Sequence, residues 1–178
     1  MIQVSTRLVY ENRWLSLRED EIRLPDGSPG IYSVVDKPTA VLVVPMECGG
    51  CHLVEQYRYP IGRRSWEFPQ GTWADGRTAP AVDLARTELR EETGLRAGSM
   101  RRIGRMAIAP GLTSQECDVF LATELSAGPP EREPTEQGMA QRWFSRAELT
   151  RMINSAEIID AITIGAFTLL DQTVPEFS

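Results

Sequence analysis

The segment ARTELREETGL, Ala85 to Leu95, constrains this chain more than any other. Its spacing predicts a helix that ends at Gly94, the residue best suited to a left-handed cap. Residues four apart share a helix face, so Glu88 and Glu92 point the same way, and Glu91 lies three from Glu88. Ala81, Ala85 and Leu89 form an apolar stripe on that helix, with Val82 beside it. Glu88 and Glu92 flank the stripe, where an uncompensated charge is expensive. Three crowded carboxylates repel one another unless they stay solvated or a cation neutralises them. A solvated acidic face is the ordinary outcome for such a run. An oxygen-rich site of this kind otherwise suits Mg²⁺ or Mn²⁺.

The remaining pattern is α/β. TRLVYEN, WLSLREDEIRL and GIYSVV alternate apolar and polar residues and predict a small antiparallel sheet over residues 1–36. The main body, 37–178, opens with two strands, TAVLVVPM and HLVEQYR, joined by a turn at Gly49-Gly50. Its apolar run Ala40 to Val44 ends at Pro45 and is far too short to cross a membrane. RRSWEFPQG is a further strand, and Thr78 is the expected cap of the glutamate helix. Beyond Gly94, SMRRIGRMAIA and ECDVFLATEL read as strands, followed by the Pro- and Glu-rich loop GPPEREPTEQGM and the strand QRWFS. Ser145 and Glu148 make a capping box for one helix, and a last helix is expected from about Glu157 to Asp171. Strands and helices alternate irregularly, which predicts an α/β sandwich of mixed sheets.

Composition narrows the function. The net charge of −6 disfavours a nucleic-acid surface, which needs a basic footprint. Lys37 is the only lysine among 19 basic residues, the rest being arginine, which suits bidentate phosphate recognition. The N-terminus carries no apolar stretch of signal-peptide length, so a cytoplasmic protein is expected. The three cysteines do not suggest a disulfide scaffold. Cys48 to His52 reads CGGCH, a haem-attachment or metal-like spacing, but its place between two strands favours a turn.

The unit WEFPQG…ARTELREETGL resembles the Nudix hydrolase box, G-x5-E-x7-R-E-U-x-E-E-x-G-U. Glu88, Leu89, Glu91, Glu92, Gly94 and Leu95 fall in register. The likeness extends through VEQYRYP, the APG loop, VFLATEL, RWFS and AEIIDAITIGAFTLL to most of the chain, and points to the ADP-ribose pyrophosphatase-like branch. Pro110, 16 residues beyond Gly94, matches a proline of that branch. The first half of the box departs: Ala79 stands at the position of the early glutamate and Thr87 at that of the arginine. In the family these two pair and brace the loop. Losing both avoids leaving one charge unpaired, and Arg77 or Arg86 offers a substitute pair.

The resemblance implies a Nudix-like α/β/α sandwich and metal-dependent hydrolysis of the pyrophosphate bond of a nucleoside diphosphate sugar, ADP-ribose first. GDP-mannose, another sugar nucleotide, or a non-catalytic nucleotide-sugar-binding module are the alternatives. It implies Glu88 and Glu92 as metal ligands, Glu91 third, with the Gln70 carbonyl reaching the same Mg²⁺ or Mn²⁺. A general base is expected on the loop before the last strand, Glu136 best matching its position; Glu116 is the runner-up. Arg58 suits a phosphate or ribose, or an ion pair with Glu67 or Glu55. Glu67 is a candidate for polar substrate contacts. Trp14 is a candidate for stacking on the base, or else a core residue. The N-terminal sheet implies a homodimer, with no nucleic-acid or membrane partner expected.

Overall fold

The computed structural model describes residues 1–73, 79–132 and 138–174. It opens with three antiparallel strands, β1 (Ile2–Glu11), β2 (Ser16–Arg23) and β3 (Pro29–Asp36), in that spatial order. The main sheet comprises β4 (Ala40–Glu47), β5 (Gly50–Arg58), β6 (Arg63–Glu67), β7 (Gln70–Gly71), β8 (Arg96–Ala107), β9 (Glu116–Ser126) and β10 (Ala140–Ser145). Its order is β10-β5-β4-β9-β8, with β6 on β5 and β7 on β4. Only β4 and β9 run parallel among the paired strands of this mixed sheet. Three helices cover it: α1 (Ala81–Thr93), α2 (Arg146–Asn154) and α3 (Ala161–Thr173).

β4 is buried on both faces, as its unbroken apolar run requires. Leu42 and Val44 join Leu53, Val119, Leu149 and Leu170 in the core beneath α2 and α3. Val41 and Val43 join Leu84, Leu89 and Phe120 in the core beneath α1. The result is an α/β/α sandwich with a small antiparallel sheet ahead of it.

One feature of the sheet positions the site. β4 and β5 pair only at Met46–Cys51 and Glu47–Gly50, then diverge. β10 takes one edge of β5 and β9 one edge of β4, so β6 and β7 must occupy the remaining edges, inside the fork. Val43 donates to the Pro69 carbonyl at 2.8 Å and Phe68 to Thr163 Oγ1 at 3.0 Å, locking the WEFPQG segment between the sheet and α3.

Several local expectations shift. The β4–β5 turn falls on Cys48-Gly49, both at positive φ (49° and 72°), one residue earlier than Gly49-Gly50. β4 runs through Pro45, which sits at the last pair with β9 where the ladder ends. α3 starts at Ala161 because the Asp160 side chain, not a group near Glu157, accepts from Thr163 N–H and caps it. The capping box of α2 forms as expected. Thr78 lies outside the described residues, and Pro80 holds the N-cap position of α1. Among the described residues, no helix is long and apolar enough to cross a membrane.

Candidate active site

α1 is held by its apolar stripe, and Gly94 closes it with φ 76° and a 2.8 Å bond from its N–H to the Arg90 carbonyl. Glu92 faces inward at 2% exposure, while Glu88 and Glu91 are half-buried. The Glu88 carboxylate lies against the backbone of Gly71: a Cβ built on that glycine would fall on the carboxylate itself. Glycine is therefore needed here for close approach. The Gln70 carbonyl belongs to the peptide bond joining it to Gly71, so the strand end and the carboxylate helix meet at this point. Glu91 lies 3.6 Å from Arg90, and its carbonyl accepts from Glu131 N–H at 3.1 Å.

Beside this junction is a cavity of about 490 Å³, lined in part by Arg58, Glu67, Gln70 and Gly71. Glu67, 2% exposed, accepts from Arg58 Nε at 2.9 and 3.1 Å and from Nη2 at 2.5 Å. Gln70 Nε2 donates to the same carboxylate at 2.8 Å and to Asp160 at 3.3 Å. Burial works against the Arg58 charge, but Glu67, and further off Glu92 and Asp160, outweigh it and push its pKa up. Glu92 is thus felt electrostatically at the cavity. Glu55 pairs with Arg64 instead, at 2.7 Å.

The fold does not gather every candidate here. Glu116 starts β9 and pairs with Arg105 at 2.9 Å, away from the cavity lining. Trp14 is 52% exposed in the β1–β2 connection, under the Arg13 guanidinium at 4.1 Å, so it is not a core residue, nor does it line the cavity of its own chain. Glu136 lies outside the described residues, as does Arg77. Arg86 Nη1 donates to the Ala97 carbonyl at 2.7 Å, and Arg86 makes no ion pair among the described residues. Ala79, where the family carries its early glutamate, lines a recess with Trp73, Ala81 and Leu84 on one side and the Arg105–Asp118 pair on another.

The CGGCH segment is a turn. All three thiols are free, and burial pushes Cys51 up strongly and Cys117 up to about 12. His52 is occupied by Glu47 at 2.6 Å and Gln141 at 2.5 Å.

Among the described residues, no three His, Cys, Asp or Glu side chains converge as a cage for an ion. The donors at the Gly71 junction still fit a hard divalent cation. Mg²⁺ is commonly held by one or two carboxylates while keeping several waters. Glu88, pressed on the strand end beside the Gln70–Gly71 peptide, is a donor of that kind, and buried Glu92 lies one turn further along the same helix.

Sequence reasoning missed Lys37, Ser65, Gln115 and Asp160 in the cavity wall. Asp160 was the most accessible to it, being an Asp directly before the apolar run AITIGAFTLL, a helix-cap signal.

The carboxylate helix seated on a glycine strand end thus borders a cavity in which Arg58 and Lys37 stand beside Glu67 and Asp160, polar chemistry suited to a phosphorylated ligand. Comparison with known proteins makes the class specific. A model of the NUDIX domain matches residues 36–162, and one of the nucleoside diphosphate sugar hydrolase N-terminal domain matches residues 1–35. The chain belongs to the Nudix hydrolase family, whose members generally use divalent metal ions. It is 35% identical over 164 residues to an ADP-ribose pyrophosphatase of Mycobacterium tuberculosis, covering 91% of this chain and 79% of that one. An ADP-ribose pyrophosphatase of Bacillus subtilis is 28% identical over 169 residues, covering 94% and 90%. A solved structure described as an ADP compounds hydrolase superposes with a TM-score of 0.83 at 19% identity, over 97% of this chain and 93% of that one, a likeness of fold.

Proposed function

We propose that this enzyme hydrolyses the pyrophosphate bond of a nucleoside diphosphate sugar, with ADP-ribose giving AMP and ribose 5-phosphate. The observation that carries this is the contact of the Glu88 carboxylate with Gly71, at the edge of the cavity that holds Arg58. Glu88 and Glu92 would hold the divalent ion, Mg²⁺ first and Mn²⁺ second, with Glu91 and the Gln70 carbonyl as further donors. A bound ion of this kind neutralises charge on phosphoryl oxygens and acidifies a coordinated water.

The chain's own groups do the rest. Arg58, fixed in orientation by its fork on Glu67, presents its remaining N–H groups to a phosphate or ribose oxygen. Glu67 acts chiefly by holding Arg58 and Gln70. A water oxygen attacks one phosphorus, the P–O bond to the bridging oxygen breaks, and that oxygen leaves on the other phosphate. A carboxylate must take the water's proton. Glu136 is our first choice, since Glu116 is engaged by Arg105.

We further assign residues 1–36 to an N-terminal sheet that dimerises and 37–178 to the catalytic domain, acting in the cytoplasm. Ile2, Val4, Leu8 and Ile31 of that sheet are exposed in the single chain, and Trp14 would reach a substrate only across such an interface. A doubled mass in light scattering is the expected result, and a monomer at micromolar concentration would remove Trp14 from the site.

The activity is tested by incubating the protein with ADP-ribose, GDP-mannose and other sugar nucleotides, with Mg²⁺ or Mn²⁺, and separating the products. Release of AMP from ADP-ribose is expected. Absence of turnover on every sugar nucleotide with either ion would overturn the assignment.

A further inference from the structure

Two polar groups in the cavity wall are used neither by the carboxylate helix nor by the Arg58–Glu67 pair. Ser65 stands two residues before Glu67 on β6, so both side chains leave the same face of the strand. Ser65 is 2% exposed, lines the cavity, and its Oγ has no hydrogen-bond partner among the described residues. Buried hydroxyls are nearly always bonded, so Ser65 Oγ calls for a partner from the cavity, a water or a ligand's polar group.

Lys37 is the second. It lies in the joint between β3 and β4, lines the same cavity, and makes no ion pair among the described residues. The joint is fixed in place. Gln115 Nε2 donates to the Pro38 carbonyl at 2.9 Å, and Ser114 Oγ to Asp36 at 2.6 Å. Lys37 is thus an exposed cation at the cavity rim, on a backbone joint fastened by the loop that follows β8.

Charge then sorts what the cavity can take. Asp160 and Glu67 repel an anion, while Lys37 and Arg58 attract one. Hydroxyl groups satisfy Ser65 and Asp160 without that conflict. The described walls include no aromatic ring, only aliphatic groups such as Ile61, Ile108 and Ile162, so they offer no stacking face for a nucleobase.

We propose that this cavity is the subsite for the sugar-phosphate half of the substrate, with Ser65 bonding a sugar hydroxyl and Lys37 the adjoining phosphate. The assignment rests on the nucleoside diphosphate sugar reading above. It makes Ser65 a specificity-determining residue and Lys37 a phosphate contact, while the nucleobase lies elsewhere.

The test compares KM for ADP-ribose with KM for the β-methyl ester of ADP, which keeps the pyrophosphate diester and lacks the second sugar. Ser65→Ala is expected to raise KM for ADP-ribose about fivefold, the loss of one hydrogen bond, and to shrink the preference over the ester accordingly. Lys37→Gln is expected to raise KM for both about tenfold, the loss of a charge-assisted bond. Melting separates binding from structure: Ser65→Ala removes a hydroxyl with no partner in the protein, so its Tm should equal or exceed that of the parent. A Ser65→Ala KM for ADP-ribose that stays at the parent value, or rises equally for both compounds, overturns the subsite. A parent protein inert towards both compounds, with Mg²⁺ and Mn²⁺ present, overturns the underlying reading and the subsite with it.

Discussion

At the scale of single residues, the site depends on one close approach. Glu88 can lie on the strand end only because residue 71 has no side chain. Gly71→Ala would place a methyl group where the carboxylate sits, so the end of the Glu88 side chain, rather than any backbone atom, must shift. The clash is confined to the end of a side chain, so stability should change little, while the proposed ligand is moved off the strand end. We expect metal affinity, measured by calorimetry with Mn²⁺, to fall about 10- to 100-fold at an almost unchanged Tm. Metal affinity equal to the parent's would show that the Glu88 position against Gly71 is irrelevant to the ion. Glu88 and Glu92 were legible in the sequence because a 3.6-residue period fixes which side chains share a face. Ser65 and Lys37 were not. Their meaning depends on which walls face one another across a cavity, and no local pattern encodes that.

At the scale of elements, the fork between β4 and β5 explains why WEFPQG carries site residues. A strand pair that separates after two residue pairs leaves two open edges, and β6 and β7 fill them. The strands themselves were readable from apolar runs and turns, but the divergence was not, because pairing partners are set by the whole sheet. The sequence predicts α3 a few residues early for a related reason: Glu157 to Asp160 precede the helix as an irregular segment that ends at the Asp160 cap.

The β8–β9 pair has its own electrostatic clasp. Asp118, buried, accepts from Arg105 Nε and Nη2, both at 2.9 Å, and from Arg102 Nε at 2.6 Å. The bond from Arg105, with help from Arg102, outweighs burial and holds the Asp118 pKa below the usual carboxylate value. A carboxylate depressed in the folded state stabilises the protein above its unfolded pKa. That contribution disappears as the pH falls through the depressed value. Asp118→Asn should therefore lower Tm at neutral pH and flatten its decline between about pH 5 and pH 2. A parallel decline in the two proteins would remove Asp118 from the acid response. Asp36 and Glu148 are depressed as well, so the slope should shrink rather than vanish.

At the scale of the whole molecule, the N-terminal sheet and the catalytic body meet where substrate is expected to bind. Tyr32 Oη donates to the Gly111 carbonyl at 3.0 Å and Val35 N–H to the Leu112 carbonyl at 2.9 Å, tying the sheet to the loop bearing Pro110. Lys37 follows directly. The sheet is thus more than an appendage, because its last strand leads straight into Lys37 at the cavity. The missing Glu–Arg brace of the box also looks different at this scale. Trp73 packs with Ala81 and Val82 onto the Leu84–Leu89 core, and Ala79 lines the recess alongside. Apolar packing thus contributes beside the position of that brace, in a recess that also holds the Arg105–Asp118 pair.

On the function proposed above, the carboxylates of α1 hold the ion that pyrophosphate hydrolysis requires. Glu92→Gln tests it most directly, since it keeps the shape of a buried side chain and removes its charge. With ADP-ribose and Mg²⁺, kcat/KM should fall by about a hundredfold or more, with circular dichroism matching the parent. Turnover equal to the parent's in a folded Glu92→Gln protein would contradict the account.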